Sequence, residues 1–88
     1  MPNCFQLRNV ATGEIPSLVA IDRDICEYLN KPVHDVRYYE HWVDMLGLPL
    51  AMGKTWGDLE FQYGDDQYLL PVIEYLKQLY EPVAWAER

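Results

Sequence analysis

Proline and glycine punctuate this chain so closely that no long regular segment fits between them. Pro16, Pro32, the Gly47/Pro49 pair, Gly64 and Pro82 leave room for one short element at a time. Proline fixes φ and lacks an N–H, the residue before it avoids helical geometry, and glycine accepts the positive φ of turns and helix ends. With 88 residues and no linker-like stretch or repeat, the expectation is one domain spanning residues 1–88. Half of the residues are apolar, enough for a compact core. A domain of this size still buries only roughly 60–65% of its unfolded surface, so a partner or a second copy would add stability.

Phe5 and Leu7 alternate with Gln6 and Arg8, which predicts a strand over Cys4–Val10. Ala11-Thr12-Gly13-Glu14 reads as a hairpin turn, and the apolar run Ile15–Ile21 as the returning strand, at an edge because of Pro16. Asp22 is then the expected N-cap of a helix carrying Ile25, Tyr28 and Leu29 on one face and ending near Asn30-Lys31-Pro32. A second helix is expected from His34 or Asp35 to Leu46, with Val36, Tyr39, Val43 and Leu46 inward, Gly47 past its end and Pro49 as a stop. Leu48–Met52 has no clear period. Thr55-Trp56-Gly57-Asp58 has the pattern of a capping box opening a short helix to about Phe61, followed by a loop over Tyr63–Asp66. The last helix is expected from Pro71, or one turn earlier, to Tyr80, with Val72, Leu76 and Leu79 inward and Val83-Ala84-Trp85 returning as a strand. The fold class is therefore α+β: a small antiparallel sheet, made of an N-terminal hairpin and a C-terminal strand, packed by three to four helices.

The motifs that carry chemistry are weak. Gly53-Lys54-Thr55 follows Gly47 after five residues, whereas a phosphate loop needs four, and Pro49 removes one of the N–H groups that would cradle the phosphate. His34 and His41 are seven apart with no third ligand at metal spacing. Asp22-Arg23-Asp24 lacks the glycine and glutamate of a calcium loop, and Ser17, the single serine, has no glycine-flanked elbow. Cys4 and Cys26 follow a start without a basic region and apolar run, so two reduced thiols in a cytoplasmic protein are expected. The sequence thus argues against an enzyme and offers no catalytic residue, metal site or cofactor.

Charge is more informative. Fourteen carboxylates face seven lysines and arginines, and between Lys54 and Lys77 lie Asp58, Glu60, Asp65, Asp66 and Glu74 with no basic residue. Aromatics are interleaved. This balance disfavours direct nucleic-acid and anionic-membrane binding and favours a basic protein surface. The candidate partner-binding residues are Trp56, Asp58, Glu60, Phe61, Tyr63, Asp65, Asp66 and Tyr68. Tyr38, Trp42 and Met45, at i, i+4 and i+7, form a second candidate face.

Asn3-Cys4-Phe5-Gln6-Leu7, Ala11-Thr12-Gly13, Asp22 with Cys26, Tyr38-Tyr39, Trp42, Ala51, Gly53-Lys54 and the closing Trp85-Ala86-Glu87-Arg88 resemble a group of small acidic proteins of tailed phages and prophages. The resemblance carries no activity and no catalytic residues. It implies action in the cytoplasm of a bacterial host, in host takeover or counter-defence. The leading expectation is a non-enzymatic binder that occludes a basic surface of a host protein, partial DNA mimicry being one form. One alternative is a structural or assembly homo-oligomer joined through its aromatic faces. Another is a protein that sequesters a nucleotide signal, for which a symmetric oligomer would have to gather Arg23, Lys31 and Arg37.

Overall fold

The computed structural model of the chain describes residues 5–33 and 35–83. Cys4, His34, Ala84 and Trp85, which figured in the expectations above, lie outside them. The order is β1 (Gln6–Asn9), α1 (Leu18–Leu29), α2 (Val36–Ala51), α3 (Trp56–Gln62), α4 (Leu69–Leu79) and β2 (Tyr80–Val83). This is an α+β fold, four helices with a two-stranded antiparallel sheet.

The sheet is closed by the C-terminal strand, not by an N-terminal hairpin. β1 pairs with β2 in the register Gln6 to Val83, Leu7 to Pro82, Arg8 to Glu81 and Asn9 to Tyr80. In a two-stranded sheet every strand is an edge, so Pro82 is tolerated. Phe5, Leu7 and Tyr80 face the core, while Arg8 Nε and Glu81 Oε2 meet at 2.8 Å on the outer face. The turn after β1 forms as expected: the Asn9 carboxamide accepts from the N–H groups of Ala11 and Thr12, and Gly13 takes φ 79°. It leads into a helix rather than a strand. Ser17 Oγ accepts from the Ala20 N–H at 3.1 Å and starts α1 five residues before Asp22. The β-branched content of Ile15–Ile21 is misleading, because Val19 is 61% exposed and the buried set Ile21, Asp22, Ile25 and Cys26 follows helical spacing. At the other end Asn30 adopts the left-handed conformation, and its N–H with that of Lys31 closes on the Cys26 carbonyl.

α2 corrects a second expectation. It does not stop at Gly47 but runs through Gly47 and Pro49 to Ala51. A proline inside a helix leaves the carbonyl four residues earlier without its donor. Here that carbonyl belongs to Met45, and the Tyr63 hydroxyl donates to it at 3.1 Å. The inward face of α2 is also rotated from the expected stripe: Trp42, Leu46, Gly47 and Leu50 are buried, and Val36 is exposed. Tyr63→Phe should therefore lower stability by about 0.5–1.5 kcal/mol, since it removes one donor from a carbonyl with no helical partner. Urea denaturation measures this, and an unchanged midpoint would mean that water replaces the hydroxyl at no cost.

α3 opens with the expected capping box, Thr55 Oγ1 accepting from the Asp58 N–H and Asp58 Oδ2 from the Thr55 N–H, both at 3.1 Å. α4 starts ahead of Pro71, which sits in its first turn where N–H groups lack helical partners. α3 packs on α4, α1 on α2 and α4, and α4 on β2. The core they enclose contains Phe5, Leu7, Ile21, Ile25, Trp42, Leu46, Leu50, Leu59, Leu69, Val72, Ile73, Leu76 and Tyr80.

Candidate functional site

Most of the acidic-aromatic segment is committed to internal contacts. Trp56 packs against the core and its Nε1 donates to the Tyr80 carbonyl at 3.0 Å, tying α3 to β2. Asp58 is half of the capping box, and the Thr55 backbone N–H holds its carboxyl below the usual range. Tyr63 completes α2 as described. Asp66 caps the start of α4: its Oδ1 accepts from the N–H groups of Tyr68 at 2.9 Å and Leu69 at 2.7 Å. The Leu69 N–H is the largest influence keeping that carboxyl low, and His41 Nε2 lies 3.6 Å from Asp66 Oδ2. Tyr68 is half-buried, its ring 5.1 Å from that of Tyr38, and burial pushes its hydroxyl well above the ordinary tyrosine range.

Two of the candidate partner-binding residues point to solvent without an internal role. Phe61 is 91% exposed. It lies two residues from buried Leu59, about 200° around the helix, so it projects away from the core. Gly57, one turn before it, has no side chain to cover it. Asp65, four residues after Phe61, is exposed in the turn between α3 and α4. Glu60 is half-buried and binds Lys77 Nζ at 2.7 Å. The segment that has no base within its own span thus receives one from α4, and the exposed charge near Phe61 is smaller than the sequence suggests.

The second candidate face is divided by the fold. Trp42 is fully buried. Its Nε1 donates to Asp22 Oδ1 at 2.8 Å, and Phe5 and Tyr39 meet its ring edge-on at 6.3 and 6.2 Å. Asp22, the expected N-cap, is instead a buried carboxylate inside α1, with the Cys26 thiol 3.8 Å from its other oxygen. Burial, then the Asp22 charge, raises the Cys26 thiol pKa and makes it a poor nucleophile. Tyr38 belongs to a cluster with Tyr68 and His41, and Lys31 Nζ is 5.6 Å from the Tyr38 ring centroid. An open cleft of about 260 Å³ lies there between Arg37, Tyr38, His41 and Tyr68. Arg37 is held by Asp35 at 2.8 Å and His41 faces Asp66, so the cleft has little unopposed positive charge for a phosphate.

Beyond Met45, the second candidate face gives way to a surface that the sequence did not suggest. Met45, Leu48, Pro49 and Met52 share one side of α2 at i, i+3, i+4 and i+7, and with Tyr63 they line a groove of about 350 Å³ between α2 and the end of α3. Leu48 is 58% and Met52 69% exposed. The signal was a helical period continuing past Gly47, hidden by reading Gly47 and Pro49 as stops. Among the described residues no three His, Cys, Asp or Glu side chains are grouped to hold a metal ion, and no helix is long and apolar enough to cross a membrane. No protein-family model, curated protein or solved structure matches the chain.

Proposed function

We propose that this chain is a non-enzymatic binding protein that covers a basic surface of another protein, with Phe61 as the anchor and Asp65 as the adjacent charge. The resemblance to phage proteins makes that partner a host protein in the bacterial cytoplasm. The observation that carries the reading is the 91% exposure of Phe61 on α3, a helix fixed to the rest of the fold by buried Leu59 and by the Trp56 and Glu60 bonds. An aromatic ring held in water on a rigid helix loses little conformational freedom on binding and removes a large apolar area from solvent. The excess of carboxylates over bases in the chain steers a positively charged partner toward it.

The test must leave the fold intact, which rules out charge reversal at Asp58 and Asp66 because both carboxylates hold helix starts. Partners are captured from bacterial lysate with the immobilised chain, and the association of a purified partner is then timed with Phe61→Ala and Asp65→Lys. Phe61→Ala should raise the dissociation rate by about tenfold or more, as loss of a central aromatic does. Asp65→Lys should slow association and weaken its salt dependence. Unchanged rates in both variants would refute the assignment of this surface.

A further inference from the structure

We infer that the Tyr28 ring, with Asp24 and Glu27 beside it, is a docking site for an arginine side chain of the partner protein. This rests on the reading of the chain as a binder of basic protein surfaces, and it adds a second contact region to the one at Phe61. Tyr28, in the last turn of α1, is 60% exposed, and its ring packs on that of Tyr75 from α4 at 4.5 Å and 35°. Rings this close admit no cation between them. The outer face of Tyr28 is the platform, and Tyr75 holds it in place. A cation over a tyrosine face is attracted by the ring quadrupole, and a planar guanidinium stacks there as an ammonium does not. Asp24 is one turn before Tyr28, at the i, i+4 spacing that sets two side chains next to each other on a helix. Glu27 adjoins Tyr28 in the chain. Both carboxylates are exposed, and neither has an ion-pair partner among the described residues. A guanidinium stacked on Tyr28 can donate to them from its edge.

Local charge selects a cation. Burial first, then the Asp24 carboxylate, with Glu27 as a weaker influence, pushes the Tyr75 hydroxyl up, and no base is among these influences. The last turn of α1 carries no basic residue, and the carbonyl end of a helix favours positive charge. The bases close by in the chain are turned elsewhere. Lys31 lies past the end of α1 with its Nζ 5.6 Å from the Tyr38 ring centroid. Arg23, five residues before Tyr28, stands about 140° around α1 from it. Lys77, two residues after Tyr75, stands about 200° around α4 and is bound to Glu60 of α3. The Tyr28 site and α3 therefore lie on opposite sides of α4. A second copy of the chain, with net charge −7, is a poor source of the cation.

The experiment titrates the full chain at low salt with a blocked glycine peptide that has one central arginine. Its counterparts carry lysine or the uncharged isostere citrulline at that position. The arginine peptide should shift the Tyr28 and Tyr75 ring resonances to saturation and bind about threefold or more tighter than the lysine peptide. The citrulline peptide should leave them in place. Tyr28→Ala, read at Tyr75, should weaken binding about threefold or more. The double variant Asp24→Asn, Glu27→Gln keeps the ring pair and should weaken it to a similar extent, about threefold. All three side chains are exposed, so folding should persist, and the double variant decides if Tyr28→Ala disturbs α1. Equal affinity for lysine or citrulline, no shift at Tyr28, or unchanged affinity in the double variant would each overturn the inference. So would loss of binding in Phe61→Ala, which would place the peptide on α3. The reading built on Phe61 is decided separately, by the captured partner's kinetics with Phe61→Ala and Asp65→Lys.

Discussion

Trp42→Ala should leave little or no cooperative unfolding transition. Removing a fully buried tryptophan costs about 3–5 kcal/mol in lost burial and residual cavity. It also takes the only N–H donor at the Asp22 side chain among the described residues, a carboxylate buried between α1 and α2. A small domain has only about 5–15 kcal/mol to lose. Trp42→Phe separates the two effects. It keeps an aromatic ring against Phe5 and Tyr39 and deletes the bond to Asp22, so a loss of about 1–3 kcal/mol is expected from the buried Oδ1 left without its indole donor, beyond the smaller cost of a smaller ring. Asp22→Asn retains an acceptor for the indole and should be milder than Asp22→Ala. Urea midpoints of the four variants provide the comparison. If Trp42→Phe and Asp22→Ala both match the wild type, the bond contributes nothing and Trp42 acts by volume alone.

Ending the chain at Leu79 should abolish the native fold. The truncation removes β2, and with it the ladder to Gln6–Asn9, the buried Tyr80 side chain and the carbonyl that receives the Trp56 indole. β1 then has no partner strand, and the inward-facing Phe5 and Leu7 lose neighbours. A two-stranded ribbon is marginal alone and persists only where one face packs on other elements, so removing one strand removes the sheet altogether. The expected result is retained far-ultraviolet helical signal with loss of near-ultraviolet aromatic dichroism and of a sharp denaturation midpoint. Glu81→Ala is the control: the exposed pair with Arg8 is worth at most about 1 kcal/mol, so that variant should behave almost as the wild type. A truncated chain unfolding at the wild-type urea concentration would show that β2 is dispensable.

Both results bear on the proposed binding surface. Phe61 is useful as an anchor only if α3 is held rigidly, and α3 is held by Trp56 to β2, by Glu60 to Lys77 and by Tyr63 to α2. Loss of β2 should therefore impair partner binding even though Phe61 and Asp65 remain in the chain.

Features settled within a few residues are legible from the chain alone. The Thr55/Asp58 box, the Asn30 helix end and the start of α2 at Asp35 each need only neighbouring donors and acceptors, and each forms where the residues predict. The α+β class followed from the same local signals. The remaining features depend on groups far apart in the chain. Pro49 reads as a stop because its effect on the Met45 carbonyl is local, while the compensating hydroxyl of Tyr63 is 18 residues away from Met45. Phe5–Asn9 reads as half of a hairpin because the nearest apolar run follows it, but Ser17 starts a helix there and leaves β1 to pair with the far end of the chain. Five acids without a base read as an open acidic face, until α4 brings Lys77 to Glu60 and helix starts engage Asp58 and Asp66. Trp42 and Phe61 are both aromatic residues on helices, and their side chains alone do not say which is core and which is surface. Packing decides: α2 turns Trp42 onto Asp22 and Phe5, whereas α3 buries Leu59 and so turns Phe61, two residues on, into water.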